Sequence, residues 1–200
     1  MELTHEQIDI LGEIGNISMG NAATTLSMML NQRVDITTPE ASIINRSAAL
    51  DDYEKTCIFV QIHYVKGLVG NNVLILQEED VLKMTSLMMG GDGKNIDSEL
   101  TDLHLSAASE AMNQMMGTAA TSMATMLGTE TDISTPEVNR VDVESVKLFE
   151  KMFDSEQDKF FKVAFRLEVG DLIDSTMVQL YPIAVAQQMV KLFQKNKKDE

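Results

Sequence analysis

The sequence is poor in the residues that build disulfide frameworks, thiolate metal sites and membrane spans. Its 200 residues include one cysteine, Cys57, three prolines and no tryptophan. A single cysteine excludes an internal disulfide and a multi-cysteine metal site. The chain has no run of 18 or more apolar residues, and it does not begin with the basic-then-apolar pattern of a signal peptide. We therefore expect a cytoplasmic protein without direct membrane insertion.

Positive charge is also scarce. Sixteen Lys and Arg residues stand against 31 Asp and Glu residues, which gives a formal net charge of -15. Because nucleic-acid binding and docking on anionic lipid both need a basic surface, neither is expected. The composition, 44% hydrophobic and 24% charged, is that of an ordinary globular protein.

The chain does contain a motif that occurs twice, with the form (Asp or Ser)-x-x-x-Glu-x-x-Asn. The two copies, 97 residues apart, are Asp9, Glu13, Asn16 and Ser106, Glu110, Asn113. Each Asn is followed 23 residues later by a proline, Pro39 or Pro136. One Glu-x-x-Asn alone would be read as a solvated helix face. Two copies in one register, each with a proline at one offset, are hard to ascribe to chance.

Hydrophobic periodicity predicts the same order of elements in both halves, helix-strand-strand-strand-helix. In the first half we expect helices at 4–30 and 78–89 and strands at 34–44, 57–64 and 69–76. In the second half we expect helices at 97–127 and 182–195, strands at 131–143, 160–169 and 173–181, and a short helical piece at 146–153.

These elements predict an α+β fold built as a pseudo-twofold duplication of one α-β-β-β-α unit. Two three-stranded units would join into a six-stranded sheet, with both long motif-bearing helices on one face. We expect one domain at 1–194, with repeats at about 4–94 and 97–194, and a charged tail or truncated linker at 195–200.

The first long helix is predicted to carry a narrow polar stripe. At 100° per residue, Asp9, Glu13, Asn16 and Gly20 fall within an arc of roughly 60°, and we expect this arc to face outward. The predicted apolar side holds Ile10, Ile14, Ile17 and Met28. Gly20, and its counterpart Gly117 in the second helix, would leave a shallow spot where a partner can approach.

The residue types of the stripe limit its chemistry. Asn cannot act as an acid or a base, but its carboxamide can accept one hydrogen bond from a water and donate another. Glu can pair with a Lys or Arg of a bound partner. No Ser-His or Cys-His arrangement accompanies the motif. The pattern therefore favours a reaction that needs a positioned water, such as phosphoryl hydrolysis.

The doubled motif with its two prolines resembles the CheC, CheX and FliY family of phosphatases, which act on the phosphorylated chemotaxis response regulator CheY. The resemblance covers essentially the whole chain. The segments at 12–18, 30–39, 89–94 and 109–117 are most similar to the middle, phosphatase domain of the flagellar-switch branch of that family.

What the resemblance implies is a pair of active sites. Glu13 and Glu110 would contact the receiver's active-site lysine, and Asn16 and Asn113 would orient the attacking water. The first motif position falls on Asp9 and Ser106, which with Gly20 and Gly117 would help to bind the partner. No metal or cofactor is expected in this chain, because the Mg²⁺ would belong to CheY.

Further partners implied by the resemblance are flagellar switch proteins of the FliM, FliG and FliN types, which would place the chain at the switch of the flagellar basal body. Two alternatives stay open. The chain could be a non-catalytic CheY-binding scaffold of the switch, or a stand-alone adaptation protein of the CheC type. Asp9 and Ser106 could also be ordinary surface residues of the helices, and Pro39 and Pro136 could shape strand edges without touching a ligand.

Overall fold

The computed structural model describes residues 2–96, 99–142, 151, 153 and 157–200. Four α-helices of more than ten residues are described, and their bounds are α1 His5–Leu30, α2 Glu78–Met88, α3 Asp102–Leu127 and α4 Ile183–Asp199. The strands are β1 Val34–Asn45, β2 Thr56–Lys66, β3 Gly70–Gln77, β4 Asp132–Ile133, β5 Glu137–Asp142, β6 Lys159–Val169 and β7 Ile173–Pro182. The predicted α+β class is confirmed. The short helical piece expected at 146–153 lies outside the described residues, apart from its positions 151 and 153.

One antiparallel sheet contains all the described strands, in the order β1-β6-β7-β3-β2-β4, with β5 also pairing β2. The prediction of six strands was wrong by one. The stretch predicted at 131–143 is divided at residues 134–136 into β4 and β5, because Pro136 has no N–H to offer the sheet ladder.

The two halves also exchange their first strands, which was not predicted. Strand β1 pairs along its length with β6 of the second half, from Val34↔Val169 to Asn45↔Lys159. In the same way, β4 and β5 pair with β2 of the first half. The strands β3 and β7, which are equivalent in the two halves, therefore pair at the centre of the sheet. The equivalent strands β2 and β6 flank them, and β1 and the β4–β5 stretch lie at the two edges.

The two long helices lie together on one face of the sheet, as predicted. They run antiparallel, because Asn21 Nδ2 donates to Ser122 Oγ at 2.8 Å while the Thr25 and Thr118 hydroxyls lie 2.7 Å apart. The buried side chains on this part of both helices include four alanines, which are small: Ala22, Ala23, Ala119 and Ala120. The main hydrophobic core fills the space between the helices and the sheet.

A second, smaller core covers the other face of the sheet. It gathers Tyr53, Cys57, Phe59, Phe153 and Phe160, among others. Tyr53 donates its hydroxyl to the backbone oxygen of Ile75 at 2.6 Å, which ties the loop after β1 to the sheet. Both faces of the central strands are therefore covered.

The buried side of α1 differs from the prediction. Ile17 and Met28 are 42% and 73% exposed, whereas Gly15 and Ser18 are buried. The reason is close packing: a Cβ added to Gly15 would come within 3.4 Å of the Phe165 ring on β6. Small residues bring the helix onto the sheet here, and a hydrophobicity pattern does not detect them.

The helix ends are set by local chemistry. Thr4 and Gln7 form a capping box at the start of α1. Helix α3 begins at a second capping box, in which Thr101 pairs with His104; this start is later than the predicted residue 97. Helix α4 continues to Asp199, four residues beyond its predicted end, and the Asn196 amide reaches the Met126 carbonyl oxygen at 3.1 Å. Within the described ranges, no helix combines the length and apolar character needed to cross a membrane.

Candidate functional site

The first polar stripe lies on the outer surface of α1. Asp9, Glu13 and Asn16 are exposed, while Leu11 and Ile14, on the other side of the same turns, are almost fully buried. Glu13 and Asn16 are three residues apart and therefore adjoin one another on the helix surface. The helix thus buries its apolar side against the sheet and presents this pair to solvent.

An open groove of about 390 Å³ runs beside this pair, between α1 and the edge strand β1. Its lining residues on the two elements are Ile8, Asp9, Gly12, Glu13, Asn16, Thr38, Glu40 and Ala41. Neither long helix contains a lysine or an arginine. Among the described residues, the carboxylates of Asp9 and Glu13 have no ion-pair partner, so they remain available to a cation from outside.

Asn16 is held on the strand side of the groove. The backbone N–H of Thr38 donates to its Oδ1 at 3.3 Å. This contact lies at a bulge in β1, because Thr37 pairs with Arg166 and Glu40 pairs with Ala164, so that two residues of β1 face a single residue of β6. Pro39, which follows Asn16 by the same 23 residues that separate Pro136 from Asn113, is one of those two residues.

The second stripe lies on α3 and has the same layout with different contacts. Ser106 and Glu110 are exposed and Asn113 is half-buried. Glu110 Oε1 accepts a hydrogen bond from Gln114 Nε2 at 2.6 Å. In the first half, Ile17 occupies the position of Gln114 and offers no such donor. The two stripes are therefore chemically similar but not identical.

The bulge also recurs in the second half. Ile133 pairs with Tyr64 and Glu137 pairs with Gln61, so three residues that include Pro136 face two residues of β2. The backbone N–H of Ser134 donates to the His63 carbonyl oxygen at 2.9 Å. Within the described part of the chain, however, Thr135 donates no bond to Asn113 that would match the bond from Thr38 to Asn16.

The two stripes are too far apart to act on one group. The pairing of Asn21 with Ser122 and of Thr25 with Thr118 places Asn113 level with residue 30 of α1. Asn16 is 14 residues from that level, or about 21 Å along the helix axes at 1.5 Å per residue. Each stripe must therefore serve a separate bound partner or a separate binding event.

The predicted shallow spots are open surface. A Cβ added at Gly20 or at Gly117 would meet no heavy atom within 4 Å, so neither glycine is required by packing inside the chain. Each glycine lies four residues beyond the Asn of its motif, one turn along the helix. Both positions leave room for an approaching molecule.

Two contributions to the site were missed by the sequence analysis. One is the backbone of Thr38, and the other is the side chain of Gln114. The Thr-Pro pair at 38–39 recurs at 135–136, so the repeat did signal the segment, but a backbone donor leaves no mark on residue type. Within the described ranges, no three His, Cys, Asp or Glu side chains lie together as metal ligands.

Comparison with known proteins gives the same two regions. A profile described as the CheC-like family matches residues 6–43 and 103–140. Each matched segment contains one stripe and the proline that follows it. The chain is 45% identical over 189 residues, 94% of its length, to the flagellar motor switch phosphatase FliY of Bacillus subtilis (strain 168), and it spans 50% of that protein.

Two further relatives complete the comparison. The CheY-P phosphatase CheC of Bacillus subtilis is 26% identical over 144 residues, which is 68% of either chain. The crystal structure of Thermotoga maritima FliY superposes with a TM-score of 0.91 at 38% identity, and the match covers 98% of this chain and 99% of that one. The fold therefore has a counterpart in a solved structure of this family, and the family profile covers both regions that contain the stripes.

Proposed function

This chain belongs to the CheC-like family, and we propose that it hydrolyses the phosphoryl group of phosphorylated CheY. The observation that carries the proposal is the Glu-Asn pair on the outer side of each long helix: Glu13 and Asn16 are exposed beside a groove, and Glu110 is exposed with Asn113 half-buried. The relatives of this chain support a phosphatase of this type, since one is a CheY-P phosphatase and another a flagellar motor switch phosphatase.

In this mechanism, CheY brings the reactive centre. Its aspartyl phosphate, its Mg²⁺ and its active-site lysine would be presented to one stripe of this chain. Glu13 or Glu110 would pair with the lysine, since neither long helix supplies a cation of its own. This chain would bind no metal for the reaction.

Asn16 or Asn113 would then place the water. Its carboxamide can accept a hydrogen from the water and donate to a phosphoryl oxygen, which fixes the water in line with the bond that breaks. The gain comes from holding the water at the phosphorus atom, which removes the entropy cost of bringing it there. The exposed position of Glu13 and Asn16 makes them accessible to a folded partner.

We also propose that the chain works at the flagellar switch, beside proteins of the FliM, FliG and FliN types. The support is the 45% identity to a flagellar motor switch phosphatase over most of the chain. In that setting, dephosphorylation would act on CheY close to the flagellar switch.

The test is the release of inorganic phosphate from phosphorylated CheY, with and without this protein. Asn16→Ala combined with Asn113→Ala should return the rate to that of CheY alone, because no carboxamide remains to hold the water. Each single variant should keep part of the activity, since the two stripes are about 21 Å apart along the helix axes.

Binding and folding are measured in the same variants. The double variant should keep its unfolding midpoint and still bind phosphorylated CheY through Glu13 and Glu110. Full activity in the double variant would refute the mechanism. If the wild-type protein bound CheY without accelerating phosphate release, the non-catalytic scaffold would replace the phosphatase.

A further inference from the structure

The prolines that follow each Asn by 23 residues have no role in the mechanism above, although they repeat as strictly as the Glu-Asn pair. In the structure, Pro39 follows Thr38 in the bulge of β1, and the backbone N–H of Thr38 donates to Asn16. We infer that the backbone N–H of Thr38, turned out of the sheet by this bulge, is a positioning group that holds the Asn16 carboxamide for water binding. This inference rests on the proposed function for its catalytic part.

The hydrogen bond fixes which end of the carboxamide faces the groove. A backbone N–H can only donate, so the atom 3.3 Å from it must be Oδ1 of Asn16 and not Nδ2. One lone pair of Oδ1 is then occupied. Within the described ranges, the second lone pair and both N–H groups of Nδ2 have no partner, and they are the set that a water and a phosphoryl oxygen need.

The bulge is the reason that the N–H is available. In a regular edge strand, each N–H either pairs with the neighbouring strand or points away from the sheet edge. Between Thr37 and Glu40, two residues of β1 face one residue of β6, so the ladder is interrupted at Thr38. Proline at the next position donates nothing and keeps the ladder open.

The second half carries the same bulge without the bond. Three residues that end at Pro136 face two residues of β2, yet Thr135 donates no bond to Asn113 within the described residues. The first site is therefore ordered before the partner arrives, and the second must order its Asn on binding. One neutral hydrogen bond corresponds to about a 2- to 10-fold difference in rate. Asn16→Ala should accordingly lose more activity than Asn113→Ala.

The experiment uses the Asn113→Ala protein, in which only the first site works. Thr38→Pro removes the N–H, whereas Thr38→Val keeps the N–H and the branched side chain and removes only the hydroxyl. That hydroxyl is buried and, among the described residues, has no hydrogen-bond partner, so Val should be tolerated. We expect kcat to be about 2- to 10-fold lower in Thr38→Pro than in Thr38→Val, with the same KM in both.

A second measurement does not depend on activity. In NMR spectra of the full chain, the Asn16 side-chain amide should be rigid in the wild type and in Thr38→Val, and mobile in Thr38→Pro. A mobile Asn16 in the wild type, or a rate that rises in Thr38→Pro, would overturn the inference. If none of the proteins released phosphate, the proposed function would fail, while the mobility of Asn16 would still show whether Thr38 holds it.

Should Thr38→Pro fail to fold, deletion of Pro39 gives a second route. Val34 and Ile36 before the bulge, and Ala41 and Ile43 after it, contribute to the core under the helices. Removing one residue between them restores regular alternation along the strand. The deletion should thus keep the fold, close the ladder at Thr38 and lower kcat to the same extent. Unchanged kcat in a folded deletion variant would refute the positioning role.

Discussion

The two open glycines allow a test in which stability and activity move in opposite directions. In the Asn113→Ala protein, where only the first site works, we change Gly20→Ala. The added methyl group meets no atom within 4 Å, and Gly20 lies well inside α1. Alanine is about 0.8–1.0 kcal/mol better than glycine in a helix interior. The midpoint of thermal unfolding should therefore rise by about 2–4 °C, as expected for a chain of this size.

The same methyl group should reduce catalysis at the first site. Gly20 is one turn beyond Asn16 on the stripe, so a receiver that covers Asn16 also covers Gly20. A methyl group there holds the partner away from the helix. A misplacement of about 1 Å can cost up to 10²-fold in rate, and we expect a loss of that order in phosphate release.

Gly117→Ala in the same background is the matched control. It adds an equivalent methyl group to α3, where nothing lies within 4 Å, but at the silenced second site. It should raise the unfolding midpoint by a similar amount and leave the rate at the first site unchanged. Full activity in Gly20→Ala would refute the idea that the partner lies on the stripe at this turn. A lowered midpoint would show that the position is not open in solution.

The remaining predictions concern buried groups away from the stripes. Burial, with Glu78 nearby, raises the pKa of the Cys57 thiol to about 12. A disulfide reagent at pH 8 should therefore label Cys57 only after the protein is unfolded in urea. Rapid labelling of the native protein would contradict this. Burial also raises the pKa of Asp80, despite a hydrogen bond from Ser175 and the nearby Lys83. The folded state then holds the Asp80 proton more tightly than the unfolded state, and the destabilisation grows as pH rises above the ordinary pKa of Asp. Asp80→Asn should thus increase the free energy of unfolding more at pH 7 than at pH 4, as measured by urea titration, and an equal effect at both pH values would refute the shift.

Much of the fold follows from local sequence signals. The capping box of Thr4 and Gln7, and the left-handed Asn31 after Leu30, set the ends of α1 close to their predicted places. The outward direction of the polar stripe follows from helical periodicity. The residues of the stripe could be predicted because the 3.6-residue period of a 26-residue helix determines which side chains share a face.

Strand partners could not be predicted in the same way. A period of two identifies β1 and β6 as strands, but it does not say that Val34 pairs with Val169 of the other half. The packing of Gly15 against Phe165 was also hidden, since a glycine adds nothing to a hydrophobic pattern. At the site, Glu13 and Asn16 were found from their spacing, whereas the Thr38 backbone donor depends on a bulge that only the paired strands reveal.

The exchange of first strands has a consequence for the order in which the protein is made. The helix and strand that form the first groove are encoded in the first 41 residues. Among the described strands, however, β1 pairs with β6 alone, and the bulge at Thr38 is bounded by the pairs Glu40↔Ala164 and Thr37↔Arg166. At a synthesis rate of about 5–20 residues per second, the ribosome needs roughly 6–25 s to travel from residue 41 to residue 166. During that time β1 lacks its partner strand β6, and the bulge at Thr38 cannot form. The first site, although it is encoded near the start of the sequence, is therefore completed only after most of the second half has been synthesised.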